Sequence, residues 1–194
     1  MAFNFKSVCV FCSSSDALDR KYLKLAEDIG NEIGKHNLHL IHGAGKIGLM
    51  GVLSRTAKEN NCKVTGVIPQ ALNRQGITSE TDDEIIVTDT MHERKKIMRD
   101  RADIFIALPG GFGTLEELLE VITLKQLRYH TKPIVIINYD HFYDNLIHHF
   151  DTMFEQMFSK HKYRSLYYIA TDVHDAFNYL ENYQYTIAED KWFR

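Results

Sequence analysis

The chain reads as an α/β protein: a Rossmann-like, doubly wound parallel sheet with helices on both faces. Three observations predict this. Short apolar runs alternate with helix-length segments from one end to the other. Several runs, such as Ile104-Phe105-Ile106-Ala107-Leu108, are continuously apolar rather than alternating, as expected of strands covered by helices on both sides. The glycine-rich turns all follow strands, at the carboxyl ends where open parallel sheets bind ligands.

The elements follow in order. Residues 7–12 form a first strand, and 16–36 a helix that starts at Asp16 or Asp19. Residues 38–42 form a strand, and a glycine turn leads into a helix ending near Asn60. The strand 64–68 is stopped by Pro69. The polar, irregular segment 70–83 reads as a loop over the site. A strand at 84–88 and a helix at 90–101 come next. The strand 103–108 precedes a helix from Thr114 to about Arg128, marked by the helical spacing of Leu115, Leu118, Leu119 and Ile122. Pro133 introduces a strand at 134–137. A helix over 140–159, an extended stretch over 166–170 and a helix over 172–181 close the order. The aromatic-rich stretch from Tyr179 to Trp192 is expected to pack on the body or on a second subunit. With right-handed crossovers, residues 1–194 make a single Rossmann-like nucleotide-binding domain.

Composition narrows the function. The chain has 194 residues, 44% hydrophobic and 25% charged, ordinary values for a soluble domain with a sizeable core. Its net charge of −3 gives no reason to expect nucleic acid or an anionic membrane as partner. No apolar run approaches the roughly 20 residues needed to cross a bilayer. The N-terminus leads straight into a strand without a signal-peptide layout, so a cytoplasmic location is expected. Cys9 and Cys12 form a CxxC, but residues three apart on a strand point to opposite faces, and a structural role is expected for both.

The most informative motif is Pro109-Gly110-Gly111-Phe112-Gly113-Thr114-Leu115-Glu116-Glu117. A strand, a glycine turn and a helix N-terminus make an anion site, where backbone N–H groups and the helix dipole favour a phosphate. Glycine permits close approach and positive φ. Glu116 and Glu117 are placed in the first turn beside the phosphate, which points to chemistry on a phosphorylated sugar. The alternative for Glu117 is a capping box with Thr114.

Other motifs exclude more than they assign. Gly43-Ala44-Gly45-Lys46-Ile47-Gly48 matches GxGxxG, but the next strand ends without the acid that a dinucleotide ribose needs, so NAD is not expected. It reads equally as a tight turn or a ligand contact. GxxxxGK(S/T) is absent. Ser13-Ser14-Ser15-Asp16 follows the first strand and is expected to cap the next helix, with phosphate or ribose binding the alternative. Met91-His92-Glu93-Arg94-Lys95 lacks the second histidine of HExxH; Arg94 and Lys95 are instead placed to meet a phosphate or purine. Neither His39/His42 nor His148/His149 is spaced to chelate, His92 is the histidine near the site, and no metal is expected.

The paired motifs PGGxGTxxE (Pro109 to Glu117) and MHxRK (Met91 to Lys95) resemble the Lonely Guy family of cytokinin riboside 5′-monophosphate phosphoribohydrolases. The likeness extends to the Val-Cys-Val-Phe-Cys opening, Gly48-Leu49-Met50-Gly51, Thr123 and Gln126-Leu127. It implies hydrolysis of the N-glycosidic bond of an adenine-type nucleoside 5′-monophosphate to free base and ribose 5-phosphate. It implies Arg94 and Glu117 as the catalytic pair. Lys95, Gly111, Phe112, Gly113, Thr114 and Thr123 would hold the nucleotide, with Glu80 a further contact. Gly110 joins the phosphate anchor on the physical reading of the turn. The family needs no redox cofactor and is usually a homodimer or larger. The first loop departs from it at Ser13, and the second at His42 and Ala44, which bears on substrate preference. An AMP nucleosidase and a non-catalytic nucleotide or cofactor carrier are the alternatives. Decarboxylation is disfavoured, because no lysine stands out as a Schiff-base residue.

Overall fold

The computed structural model describes residues 3–184. Seven strands form one parallel sheet in the order β4-β3-β2-β1-β5-β6-β7. They are β1 (Ser7–Phe11), β2 (His39–His42), β3 (Val64–Pro69), β4 (Glu84–Thr88), β5 (Ile104–Ala107), β6 (Ile134–Ile137) and β7 (Tyr168–Ala170). The helices are α1 (Arg20–Lys35), α2 (Gly48–Glu59), α3 (Met91–Arg101), α4 (Phe112–Gln126), α5 (Asp144–Glu155) and α6 (Val173–Glu181).

Two apolar layers sandwich the sheet. One packs Leu25, Ile29 and Ile33 of α1, Leu49 and Leu53 of α2, and Phe177 of α6 on Val8, Val10 and Leu40. The other packs Met98 of α3, Leu118 and Val121 of α4, and Phe150 and Phe154 of α5 on Cys9, Phe11 and Phe105. Alternate residues of β1 thus feed opposite layers, and Cys9 and Cys12 part as expected. Glycine lets α1 and α2 approach closely: a Cβ at Gly30 would lie 2.7 Å from Cβ of Thr56.

The chain runs outward from β1 to β4, then returns to pair β5 with the other edge of β1, Phe11 opposite Ala107. Asp103 clamps that junction, its Oδ2 accepting from the Lys6 and Ser7 amides at 2.9 and 3.0 Å. The strand order reverses here, so a crevice opens at the carboxyl ends of β1 and β5.

Of the two starts offered for helix α1 the structure takes the second: it begins at Arg20 with Asp19 as its cap, accepting from the Lys21 amide. Three elements differ from the sequence reading. Helix α4 begins at Phe112, two residues early, because Gly111 takes the cap position. The helix expected over 140–159 is broken: Asp140 and His141 adopt positive φ of 51° and 61°, and Asn138 Oδ1 accepts from the Tyr143 amide at 2.7 Å. Leu166 belongs to a 3-10 turn before β7. Among the described residues, no helix is long and apolar enough to cross a membrane. Tyr179 stacks on Tyr168 at 4.1 Å, so the aromatic stretch packs on the body at its start; its end, including Trp192, lies outside the described residues.

Candidate active site

At the switch point lies an open cleft of about 520 Å³. Its walls come from four chain segments that the sheet order gathers: Cys12 to Ser15 after β1, Gly43, Gly45 and Met50 around the turn after β2, Ile68, Pro69, Leu72 and Ile77 after β3, and Gly111, Gly113, Thr114 and Glu117 from the β5–α4 turn. Met91 and Arg94 of α3 complete it.

At the cleft, Arg94 Nη1 donates to Glu117 Oε1 at 2.7 Å, with both side chains 9% exposed. The geometry is set from both helices. Thr90 caps α3 by accepting from the Glu93 amide at 3.1 Å, which places Arg94 in the first turns of α3. There Nε donates to the Val67 carbonyl at 3.0 Å, fixing the guanidinium plane against β3. Gly43 leaves the space for it, since a Cβ there would lie 2.3 Å from Nη2. Burial raises the Glu117 carboxyl above its ordinary range, and the charge and hydrogen bond of Arg94 counteract this without cancelling it. Breaking such a pair by removing one partner costs about 3–5 kcal/mol, because a buried charge is left alone.

Beside the pair stands the uncapped end of α4. Among the described residues, no side chain bonds to its cap position, so its first amides are free for an anion. The glycines serve space rather than unusual backbone angles here. A Cβ at Gly110 would meet Thr114 Oγ1 at 2.1 Å, whereas Gly111 and Gly113 face open space. The positive-φ glycines are Gly48 and Gly76, elsewhere in the chain.

Known proteins give this site its context. A family model described as "Possible lysine decarboxylase" matches residues 50–180. The cytokinin riboside 5′-monophosphate phosphoribohydrolase LOG2 of Arabidopsis thaliana is 40% identical over 179 residues, covering 92% of this chain and 84% of the relative. Its paralogue LOG5 is 41% identical over 192 residues, covering 97% and 84%. The chain belongs to the Lonely Guy family. It is an enzyme of the N-glycosyl hydrolase class that the family's curated members represent. Solved structures agree on the fold: a molybdenum cofactor binding protein from Rippkaea orientalis superposes with a TM-score of 0.69 at 21% identity, over 91% of this chain and 96% of that one.

Within this Lonely Guy cleft, Arg94, Gly111, Gly113, Thr114 and Glu117 come together. Gly110 supports the turn from behind. Other expected residues lie outside the walls. Phe112 points outward, 93% exposed. Lys95 pairs with Glu116, and with Glu120 at 3.4 Å. Thr123 donates to the Leu119 carbonyl at 2.7 Å, about three turns along α4. Glu80 is exposed and pairs with Lys46 at 3.0 Å.

The capping alternatives fail for physical reasons. Thr114 and Glu117 lie inside α4, past its cap, so no capping box forms, and Glu116 and Glu117 lie beyond the first turn. Asp19 caps α1 and leaves Ser13 to Ser15 lining the cleft, held by local bonds such as the Ser15 amide to Ser13 Oγ at 3.1 Å. The GxGxxG turn serves both readings: Gly43 and Gly45 face the cleft while Ala44 is buried at φ 60°. Sequence reasoning named none of Cys12, Met50, Leu72 and Ile77 as walls, although the loop it placed over the site, 70–83, carries Leu72 and Ile77; His42, noted as a departure that bears on substrate preference, is buried next to Gly43, while His92 is exposed. For Cys12 and Met50 the one signal was position, just after a strand.

Proposed function

We propose that this protein hydrolyses the N-glycosidic bond of N6-substituted adenosine 5′-monophosphates, releasing free cytokinin base and ribose 5-phosphate. The observation that carries the reading is the buried Arg94–Glu117 pair at 2.7 Å beside an uncapped helix N-terminus. The two features match the two ends of a nucleotide.

The 5′-phosphate sits at the start of α4, on the amides near Gly111, Gly113 and Thr114. The anomeric carbon then faces Glu117. Cleavage passes through an oxocarbenium-like state, and a carboxylate held close stabilises the developing positive charge or activates the attacking water. Arg94 is an anchor rather than an acid: its guanidinium does not give up a proton in a protein. It keeps Glu117 ionised and oriented, and lines the cleft itself. Phosphate binding, remote from the bond that breaks, supports distortion at the sugar.

Base preference is supported by the apolar wall of Ile68, Pro69, Leu72, Ile77 and Met91, which suits a hydrocarbon on N6. A homodimer, with the whole chain as one domain, is part of this reading. Phe112, Leu119 and Leu127 leave apolar surface exposed along α4, on the helix that also carries Thr123. Free-base release from AMP and from isopentenyladenosine monophosphate, measured by chromatography with Glu117→Gln as control, tests the reading. Glu117-dependent release favouring the isopentenyl substrate is expected. Preference for AMP would make the protein a general nucleosidase, and binding without release a carrier.

A further inference from the structure

His42 ends β2 on the sheet face opposite Arg94, and the catalytic reading gives it no role. Its side chain and that of Asp82 are both fully buried, with Nε2 2.7 Å from Oδ2. A carboxylate only accepts, so Nε2 carries the proton. The other carboxylate oxygen, Oδ1, accepts from Ser54 Oγ of α2 and from Ser79 Oγ, each at 2.6 Å. Gly66, opposite His42 in register, makes the room: a Cβ there would lie 2.6 Å from Asp82 Oδ2. Burial acts to raise the Asp82 carboxyl, but His42 and the two hydroxyls outweigh it, and the net shift is downward.

The anchored segment bears on the cleft. Residues 70–83 carry Leu72 and Ile77, two of its apolar walls. The segment is stitched to the turn after β2 by the Ser79 amide to the Ala44 carbonyl at 2.7 Å and the Lys46 amide to the Ile77 carbonyl at 2.9 Å. Lys46 to Glu80 is an exposed and weak cross-link, while Asp83 ties the end of the segment to β3, its amide donating to the Val64 carbonyl at 3.0 Å and its Oδ2 accepting from the Val64 amide at 2.8 Å. A satisfied buried polar cluster is no more stabilising than apolar packing, but it fixes one geometry. His42 Nδ1 finds no partner among the described residues, so the ring is held from one side, by Asp82.

We propose that His42 and Asp82 are a positioning pair that locks the segment 70–83 against the turn after β2 and so sets the apolar wall that receives the base. This rests on reading the cleft as a nucleotide site. The pair lies away from the Arg94–Glu117 bond, so it acts on substrate binding rather than on bond cleavage.

The test compares Asp82→Ala, His42→Ala and His42→Gln by steady-state kinetics on isopentenyladenosine monophosphate and by amide hydrogen exchange. Both alanine variants are expected to raise KM about tenfold or more with kcat within about threefold. The Lys46 and Ser79 amides should exchange faster, while those of β1 and β5 stay protected. His42→Gln retains a donor where Nε2 stood and should restore both readouts. An unchanged KM, unchanged exchange at Lys46 and Ser79, or a loss confined to kcat would each overturn the proposal. Should Asp82→Ala not fold, Ser79→Ala decides: it removes one of two hydroxyls on Oδ1 and should move both readouts the same way by less, and no movement rejects the anchor. The exchange readout needs no turnover. Wild-type protein that releases no base would therefore reject the nucleotide reading while the exchange results still judge the anchor.

Discussion

In the proposed reaction a single carboxylate, Glu117, sets the chemistry, and its surroundings make it both useful and costly. Glu117→Gln keeps the shape and the acceptor for Arg94 but removes the charge; kcat for base release is expected to fall by about two to four orders of magnitude, measured with the folded variant. Stability carries two opposed effects. The folded-state pKa of Glu117 is raised by burial, so its contribution is fully present below the unfolded pKa and is lost as pH rises through the folded pKa. The Gln variant escapes that loss but leaves the buried Arg94 guanidinium without its counter-charge, so its Tm at neutral pH should fall below that of the wild type. Calorimetry across pH checks the sign; a Tm equal to or above the wild type at neutral pH would show that the ionised pair does not stabilise the fold. Activity depends on the ionised form, so kcat/KM should decline on the acid side with an apparent pKa above the usual glutamate value of about 4.3. Arg94→Ala is expected to abolish turnover and lower stability together, because it strands the buried carboxylate.

Turns and helix ends decide which of these side chains meet. In the β5–α4 turn the glycines have different tasks, and alanine should separate them. Gly110→Ala drives a methyl into Thr114 and should lower Tm by several degrees, whereas Gly111→Ala meets open space and should fold normally while weakening substrate binding. A thermal melt and a KM for each variant would show the split; equal Tm values would mean that Thr114 yields. The strands themselves were legible in the sequence because continuous apolar runs such as 104–108 have few other uses. The strand–turn–helix junction after β5 was legible for the same local reason. The place of Glu117 was not: Thr114 three residues before an acid reads as a cap, and the backbone of Gly111 took that position instead. Resemblance, rather than spacing, singled out Arg94 and Glu117. The loop over the site was legible as a segment, 70–83, but the His42–Asp82 contact was not, because residues far apart in the chain are joined by folding alone, Asp82 reaching His42 across 40 positions.

For the molecule as a whole, the exposed stripe on α4 is the feature that predicts assembly. Phe112 and Leu119 lie seven residues apart, on one side of the helix, and Phe112 is 93% exposed. Replacing both by glutamate should convert a dimer to a monomer in analytical ultracentrifugation, with the Arg94–Glu117 pair left intact. A wild-type protein that sediments as a monomer would remove the dimer from the reading. The location of the cleft has a consequence in time as well as space. Its walls meet across the β1–β5 seam, which Asp103 closes by reaching Ser7 over 96 positions. Contacts of that span are late to form, since the intervening chain must first be ordered. During refolding, helical circular dichroism should therefore recover before the protein regains affinity for nucleotide, and mutations at Asp103 should widen the delay.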